Sequence, residues 1–233
     1  MKFLVIIPAR GGSKGIPNKN IIDVCGKPLI QYTIDLALKL KESKRVERVI
    51  VSTDCHKIAD ISRSLGAEIP FLRPASISTD SSKSIESITH ALSYYEKLGF
   101  FYDAVIILQP TSPLRDYEDL RNSLDLFIAQ PCDGLISAYK EETINGLIMY
   151  HKEGDKARPL NERHNEGVRR QEHGSVYIRN GAIYITKTDY IKRCNKIITA
   201  TPLLFEMSKT NSINIDTLGD LEYLRNFCAN RNS

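Results

Sequence analysis

The stretch KFLVIIPARGGSKGIPNKN, residues 2–20, joins an apolar run to a flexible, positively charged segment. The first part, KFLVIIP, has no polar and apolar alternation, which predicts a strand buried on both faces of a sheet. The second part carries three glycines and three cations, namely Gly11, Gly12, Gly15, Arg10, Lys14 and Lys19. A loop directly after a buried parallel strand lies at the sheet edge where open α/β domains bind ligands.

Helix-like and strand-like segments alternate after this stretch. PLIQYTIDLALKL, SIESITHALSYYEKLG and YEDLRNSLDLFIAQ have helical periodicity, whereas RVERVIVSTD, DAVIILQP and DGLISAY are typical of strands. Further short strands are predicted at AEIPFL, GAIYIT, TPLLFEM and SINID, and LGDLEYLRNFCANR predicts a closing helix. The alternation predicts a doubly wound, Rossmann-like α/β fold with a mainly parallel sheet.

This rhythm breaks between residues 140 and 180. The segment KEGDKARPLNERHNEGVRRQEHGS is polar and has no helical periodicity. A structureless loop of that length inside a compact domain would be unusual. We therefore expect residues 1–233 to form a single domain, with 140–180 as an inserted element that packs against a second subunit.

The composition excludes several classes of protein. The 233 residues are 42% apolar and 26% charged, with a net charge of +4, which are values of a globular chain. Acidic and basic residues are interspersed, so the basic stripe of nucleic-acid binders is missing. No apolar run reaches the roughly 20 residues needed to span a bilayer. The five scattered cysteines form no C-x-x-C pair, which argues against zinc and favours a cytoplasmic location.

The cationic loop predicts a polyphosphate site. Glycine lets backbone N–H groups approach an anion, and Arg10, Lys14 and Lys19 can add charge-assisted hydrogen bonds. The glycine spacing matches neither the ATPase phosphate loop nor the dinucleotide fingerprint. A solvated surface turn is the alternative, although it would not require clustered cations at a strand end.

Five blocks together carry a family resemblance. IIPARGGSKGIPNKN, GKPLIQYTI, LQPTSPLR, RRQ with RNGAIYI, and SINIDT resemble the cytidylyltransferases that activate sialic acids and related nonulosonic acids. The resemblance extends from the first strand to SINIDT and covers nearly the whole chain. It implies a single nucleotidyltransferase domain over residues 1–233, with 140–180 as an inserted element for substrate binding and dimerisation. It implies transfer of CMP from CTP to the anomeric hydroxyl of a nine-carbon α-keto acid sugar, with release of pyrophosphate.

The resemblance also implies roles for individual residues. Arg10, Lys19 and Asp216 would be catalytic. The nucleotide would be bound by Arg10, Gly11, Gly12, Ser13, Lys14, Lys19, Asn20, Arg73, Ser84 and Gln109. The sugar would be bound by Gln109, Asn180, and the pair Arg170 and Gln171, which a second subunit would contribute across a dimer interface. For Ser84, the start of a helix is an equally good explanation.

The segment SINIDT implies a divalent metal site, with Mg²⁺ as the cofactor. The family commonly has two carboxylates here, whereas this chain has Asn214 and Asp216. Asn offers a neutral oxygen, so we expect Asp216 to be the stronger ligand and Mg²⁺ to bind more weakly. The alternative role for Asp216 is the N-cap of the closing helix.

Three other functions compete with this one. A same-fold enzyme could act on a sugar 1-phosphate, and a CTP-binding protein could have little or no activity. An RNA-binding module is the weakest alternative, because aromatic platforms beside the cations are missing. Within the cytidylyltransferases, Thr111 disfavours the eight-carbon acid Kdo, whose enzymes carry a metal-binding Asp at that position. The particular nonulosonic acid is not readable from the sequence.

Overall fold

The computed structural model describes residues 1–13, 15–144, 146–165 and 175–231. The strands in this part of the chain are β1 (Phe3–Pro8), β2 (Asp23–Val24), β3 (Lys27–Pro28), β4 (Arg48–Ser52), β5 (Ala104–Ile107), β6 (Gly134–Glu141), β7 (Tyr150–Glu153), β8 (Lys156–Pro159), β9 (Val176–Lys187) and β10 (Leu203–Glu206). The helices are α1 (Leu29–Glu42), α2 (His56–Ser64), α3 (Ser84–Lys97), α4 (Tyr117–Ala129), α5 (Thr188–Cys194) and α6 (Leu218–Arg231).

Six strands form the central sheet in the order β10-β6-β9-β5-β1-β4. The pairs β1–β4, β1–β5 and β10–β6 are parallel, and β9 runs antiparallel between β5 and β6. This arrangement confirms the predicted α/β class with a mainly parallel sheet. The sheet order also brings the ends of β1, β4 and β5 together at one edge, so the loops that follow these strands are neighbours.

Helices cover both faces of the sheet. Val5, Ile7 and Ile106 face a core shared with α1 and α4. Leu4, Ile6 and Ile107 face a second core with α3 and α5. Successive strand residues therefore enter opposite cores, and this burial on both faces is why KFLVIIP has no polar alternation.

The boundaries of several elements differ from the predictions. AEIPFL forms only one bridge, between Ile50 and Glu68, and SINID is not a strand; both predictions were wrong. Residues 188–194 form α5, which the sequence analysis did not predict. Within 140–180, the turn at Gly154, which has a φ of +63°, joins β7 and β8 into a hairpin.

The root of the 140–180 segment is fixed by a buried carboxylate. Glu141, at the end of β6, has a side chain that is only 2% exposed. Its carboxylate accepts hydrogen bonds from Thr143 N at 2.7 Å and from Lys209 Nζ at 3.1 Å. Hydrogen bonds from Thr143 lower the pKa of Glu141 to about 2. The segment therefore leaves the sheet from a rigid, ionised anchor.

Candidate active site

Side chains from distant parts of the chain shape the loop after β1. Gly11 N donates to Asp54 Oδ1 at 2.9 Å, and Asn20 Nδ2 donates to the Arg10 carbonyl at 2.9 Å. Lys19 Nζ donates to the Ile215 carbonyl at 3.0 Å. Asn20 is 7% exposed, so its amide holds the loop in shape from beneath. The loop is preorganised, although its glycines would be flexible in isolation.

Gly15 permits the closest approach between this loop and the segment that carries Asp216. A Cβ built on Gly15 would lie 2.6 Å from the Asp216 carbonyl oxygen, whereas one built on Gly12 would meet no atom within 4 Å. Position 15 therefore requires glycine because a Cβ atom has no space there. The backbone at this position is not left-handed. This contact brings Lys19 to Asp216, with 2.8 Å between Nζ and Oδ1.

Two cavities open on either side of the start of the loop. The first, of about 310 Å³, has cationic and amide groups in its walls and is lined by Pro8, Arg10, Ser13, Gly15, Lys19, Asn20, Thr111 and Asp216. The second, of about 260 Å³, is rich in hydroxyl groups and is lined by Pro8, Arg10, Arg73, Ile77, Ser78, Thr79, Asp80, Ser82, Lys83, Ser84, Ser87 and Gln109. Pro8 and Arg10 belong to both, so the cavities are contiguous.

Arg10 connects the loop to the far wall of the second cavity. Its Nη1 donates to the Thr79 carbonyl at 3.1 Å and to Asp80 Oδ1 at 2.6 Å. The guanidinium is therefore held in front of both cavities by the segment before α3. Sequence analysis assigned no role to Thr79 or Asp80; the signal available was an acid in a polar loop before a helix.

Arg73 lies deeper and has a supporting position. Its Nε donates to Ser78 Oγ at 3.0 Å, and its Nη2 lies 3.6 Å from Asp54 Oδ1. Burial lowers the pKa of Arg73, and the negative charge of Asp54 opposes that effect. Asp54 also accepts the hydrogen bond from Gly11 N. The carboxylate of Asp54 is therefore shared between Arg73 and the backbone of the loop after β1.

Gln109 and Ser84 both line the second cavity, and their predicted binding of a nucleotide remains a prediction. Gln109 follows β5, and Ser84 is the first residue of α3. The position of Ser84 fits both of its predicted explanations, since it begins a helix and lines the cavity. The two residues come from different elements of the fold and line the same cavity.

Asn180 has a structural position that the sequence analysis did not foresee. Its Oδ1 accepts hydrogen bonds from Ser137 Oγ and Ala182 N, and its Nδ2 donates to Ser212 Oγ and Met207 Sδ. The residue is 8% exposed, and all hydrogen-bonding positions of its amide are occupied. The predicted contact with a sugar would replace one of these bonds, and it remains a prediction.

Asp216 does not cap α6. That position belongs to Thr217, whose Oγ1 accepts from Asp220 N at 3.2 Å while Asp220 Oδ2 accepts from Thr217 N at 2.7 Å. Instead, one oxygen of Asp216 accepts from Lys19 and the other from Asn214 Nδ2. Asn214 and Asp216 thus meet, as predicted, although they lie on an irregular segment and not on a strand.

The donor chemistry of this pair fits a hard cation only in part. Carboxylate and amide oxygens are suitable ligands for Mg²⁺, but the pair supplies a single negative charge. Among the described residues, no group of three His, Cys, Asp or Glu side chains could hold a metal ion. A cation at Asp216 would therefore depend on oxygen atoms from a bound ligand.

Three predicted residues lie outside the described residues. These are Lys14 in the phosphate loop, and Arg170 and Gln171 in the 140–180 segment. Their predicted contacts remain predictions. In the part of the chain that is described, no helix is long and apolar enough to cross a membrane.

Comparison with known proteins places this fold and site in a family. A sequence model described as Cytidylyltransferase matches residues 4–232, and the chain belongs to that family. It is 32% identical to the pseudaminic acid cytidylyltransferase of Campylobacter jejuni, over 97% of this chain and 95% of the relative. It is 41% identical to the CMP-N,N'-diacetyllegionaminic acid synthase of Legionella pneumophila, over 54% of this chain and 53% of the relative.

A solved structure supports the fold assignment. The CMP:2-keto-3-deoxy-manno-octonic acid synthetase complexed with CTP aligns over 99% of this chain and 100% of its own, with a TM-score of 0.73 and 19% sequence identity. The shared architecture agrees with the α/β class that was predicted from the alternating segments. The resemblance to a cytidylyltransferase family is likewise confirmed.

Replacing Gly15 with Ala will destabilise the chain, because the added methyl group collides with backbone. We expect the free energy of unfolding to fall by about 1–3 kcal/mol, measured by urea denaturation. Gly12→Ala is the matched control in the same loop and should change stability by less than about 0.5 kcal/mol. Equal effects of the two variants would contradict the close approach of Gly15 to Asp216.

Proposed function

We propose that this chain transfers CMP from CTP to the anomeric hydroxyl of a nonulosonic acid and releases pyrophosphate. The single observation that carries the proposal is the meeting of two unlike cavities at Arg10. One is lined by Arg10 and Lys19 and suits a polyphosphate. The other is lined by hydroxyl and amide groups and suits a base and ribose.

In this proposal the triphosphate lies along the loop after β1. Arg10 and Lys19 would neutralise its negative charge, with Gly11–Gly12–Ser13 and Asn20 keeping the loop in a binding conformation. Lys14 would add a further cation. Phosphoryl transfer depends mainly on positioning and charge stabilisation, so a preorganised loop accounts for much of the expected catalysis.

The acceptor would approach from the side of Gln109, which lines the nucleotide cavity. The anomeric oxygen of the acceptor would form a bond to the α-phosphorus of CTP. At the same time, the bond from that phosphorus to the oxygen of the leaving pyrophosphate would break. The proton of the hydroxyl passes to water or to a phosphate oxygen of the leaving pyrophosphate. Binding at one edge of the sheet would hold the two reactants in line and so lower the entropic part of the barrier.

A divalent cation, with Mg²⁺ as the proposed ion, would be held by Asp216 together with the amide oxygen of Asn214. When bound, it would supply positive charge to the phosphate oxygens and stabilise the leaving pyrophosphate. In the free chain Lys19 occupies one oxygen of Asp216. The triphosphate offers Lys19 another anionic partner, so nucleotide and cation are expected to bind together.

The acceptor class follows from the named relatives, whose acids are pseudaminic and N,N'-diacetyllegionaminic acid. We leave the particular acid to experiment. The reaction would take place in the cytoplasm, since all five cysteines are free thiols, as a reducing compartment would keep them. Cell fractionation with an antibody would contradict this location if the chain were found outside the cytosolic fraction.

Pyrophosphate release is the decisive assay for this reaction. We expect release with CTP, Mg²⁺ and one acid from a panel of pseudaminic, legionaminic, N-acetylneuraminic and Kdo acids, and no release after chelation of the metal. Mass spectrometry should identify the CMP-linked product. Release with a sugar 1-phosphate instead would favour the same-fold alternative. CTP binding with no turnover of any acceptor would favour the nucleotide-binding alternative.

Asn214→Asp will strengthen the metal site by adding a second carboxylate. We expect the Mg²⁺ concentration for half-maximal activity to fall by about 3- to 30-fold, because one more charge lies beside Asp216. Mn²⁺ binding by electron paramagnetic resonance, with CTP present, measures the same change without turnover. Asn195→Asp, at an exposed position after α5 between Arg193 and Lys196, is the control and should leave Mn²⁺ affinity unchanged. Tight, micromolar Mg²⁺ dependence of the unmodified chain would contradict the weak-site prediction.

We also propose a homodimer formed through the 140–180 segment. Exposed apolar side chains are concentrated on and next to it, namely Ile144, Ile148, Met149, Tyr150, Leu160, Val176 and Tyr177. An apolar surface of this kind, rimmed by polar residues, is typical of an interface. A second copy is the natural partner, and it would bring Arg170 and Gln171 to the neighbouring site.

Sedimentation analysis should give about twice the chain mass of 26.3 kDa. Ile148→Glu would bury a charge in the proposed interface and should shift the equilibrium to the monomer. Phe101→Glu is the control, since Phe101 is 65% exposed in the loop before β5. A monomer at all concentrations, or a dimer that only Phe101→Glu disrupts, would overturn the proposal.

A further inference from the structure

One carboxylate connects the two cavities of the candidate site. Asp54 lies two residues after β4, at the same edge of the sheet as the loop after β1. Its Oδ1 accepts a hydrogen bond from Gly11 N at 2.9 Å and lies 3.6 Å from Arg73 Nη2. A single oxygen atom therefore contacts the backbone of a loop whose residues line the first cavity and the guanidinium of a residue that lines the second.

The turn that carries Asp54 is anchored on both sides by backbone hydrogen bonds. Ala9 N donates to the Ser52 carbonyl at 3.0 Å, and Arg73 N donates to the Thr53 carbonyl at 2.7 Å. The first bond joins the turn to the end of β1, and the second joins it to the segment that contains Arg73. The position of the Asp54 carboxylate is therefore fixed relative to both of its partners.

Gly11 can approach this turn because it has no side chain. A Cβ built on Gly11 would lie 2.9 Å from Cys55 Cβ and 3.7 Å from Asp54 Oδ2. The first distance is too short for two carbon atoms, so a larger residue would push the loop away from the turn. Glycine at this position thus lets the N–H of the loop reach the carboxylate.

A carboxylate just before a helix could instead cap that helix. Among the described residues, no side chain caps α2, whose N-cap is Cys55. The carboxylate of Asp54 is used instead by Gly11 and Arg73.

The ion pair between Asp54 and Arg73 is largely shielded from water. Their side chains are 27% and 6% exposed, respectively, and solvent screens such a pair less than an exposed one. Without the carboxylate, the guanidinium would keep Ser78 Oγ, 3.0 Å from its Nε, as a neutral partner. Removing one member of a buried ion pair leaves an uncompensated charge and is costly, so the direction of the Arg73 guanidinium depends on Asp54.

We propose that Asp54 is a positioning residue that aligns the two cavities for a single nucleotide. Its carboxylate holds the backbone at Gly11, beside the triphosphate, and the guanidinium of Arg73, beside the base and ribose, in one fixed relation. Asp54 contacts no reacting atom and acts only through these two neighbours. The inference rests on the proposed function, since it supposes a nucleotide that spans both cavities.

Calorimetric titration of the full chain tests this inference in the absence of an acceptor, and therefore without turnover. The probes are CTP, CMP and pyrophosphate, each with Mg²⁺ present. Asp54→Ala removes both contacts, and we expect the Kd for CTP to rise by about 10- to 100-fold. Asp54→Asn retains an oxygen for Gly11 N but removes the charge that faces Arg73. The Kd for pyrophosphate should then stay within about 2-fold, while the Kd for CMP rises by about 3- to 10-fold. Asp60→Ala removes a carboxylate that is 71% exposed on α2; it is the control and should match the unmodified chain.

A double-mutant cycle separates positioning from a general structural role. Because Asp54 acts on CMP through Arg73, Asp54→Asn should change the Kd for CMP by less than about 2-fold when Arg73→Met is already present. An equal effect of Asp54→Asn in both backgrounds, or an unchanged Kd for CTP in Asp54→Ala, would overturn the proposal. CTP binding by the unmodified chain with no turnover of any acid would overturn the proposed reaction and leave this inference intact. If Asp54→Ala fails to fold, Asp54→Asn and its cycle with Arg73→Met give the same test.

Discussion

A buried cation beneath the site fixes the relation between its parts. Arg115 is 2% exposed and donates hydrogen bonds to the Ala182 carbonyl and to Thr33 Oγ1. Thr33 Oγ1 in turn lies 3.4 Å from the Gln109 carbonyl. The bulge where β9 pairs irregularly with β6, the first turns of α1 and the loop after β5 are therefore held by one guanidinium. Without Arg115, this hydrogen-bonded connection between the Gln109 backbone and the backbone next to Gly181 would be lost.

This arrangement has an electrostatic consequence. Burial lowers the pKa of Arg115 to about 10, so the group stays charged at neutral pH. Among the described residues, Arg115 forms no ion pair within 4 Å. Taking a charge out of water is costly, and the negative charge of Asp119 offsets part of that cost.

Much of the fold could be predicted from the sequence because burial on both faces leaves a clear pattern. KFLVIIP and DAVIILQP are apolar throughout, and the helices between such strands show a one-sided apolar stripe. AEIPFL gave a similar signal, yet only Glu68 pairs with the sheet, because Pro70 lacks the backbone N–H that a longer ladder needs. The hairpin of β7 and β8 escaped prediction since its strands are exposed and their sequences are polar on both faces.

The cationic loop after β1 was predictable for a related reason, because residues that are close in sequence, such as Arg10 and Lys19, can stay close in space. The proposed binding site for the acceptor was not predictable in this way, because its residues come from β9 and from the loop after β5, which are far apart in sequence. A strand pattern assigns alternate residues to alternate faces, but the three extra residues of the bulge break that count. The prediction for RNGAIYI therefore fell on Asn180, whose amide binds Ser137 and Ser212 inside the fold. Which residues of β9 enter which face of the sheet follows only from its pairing register against β6.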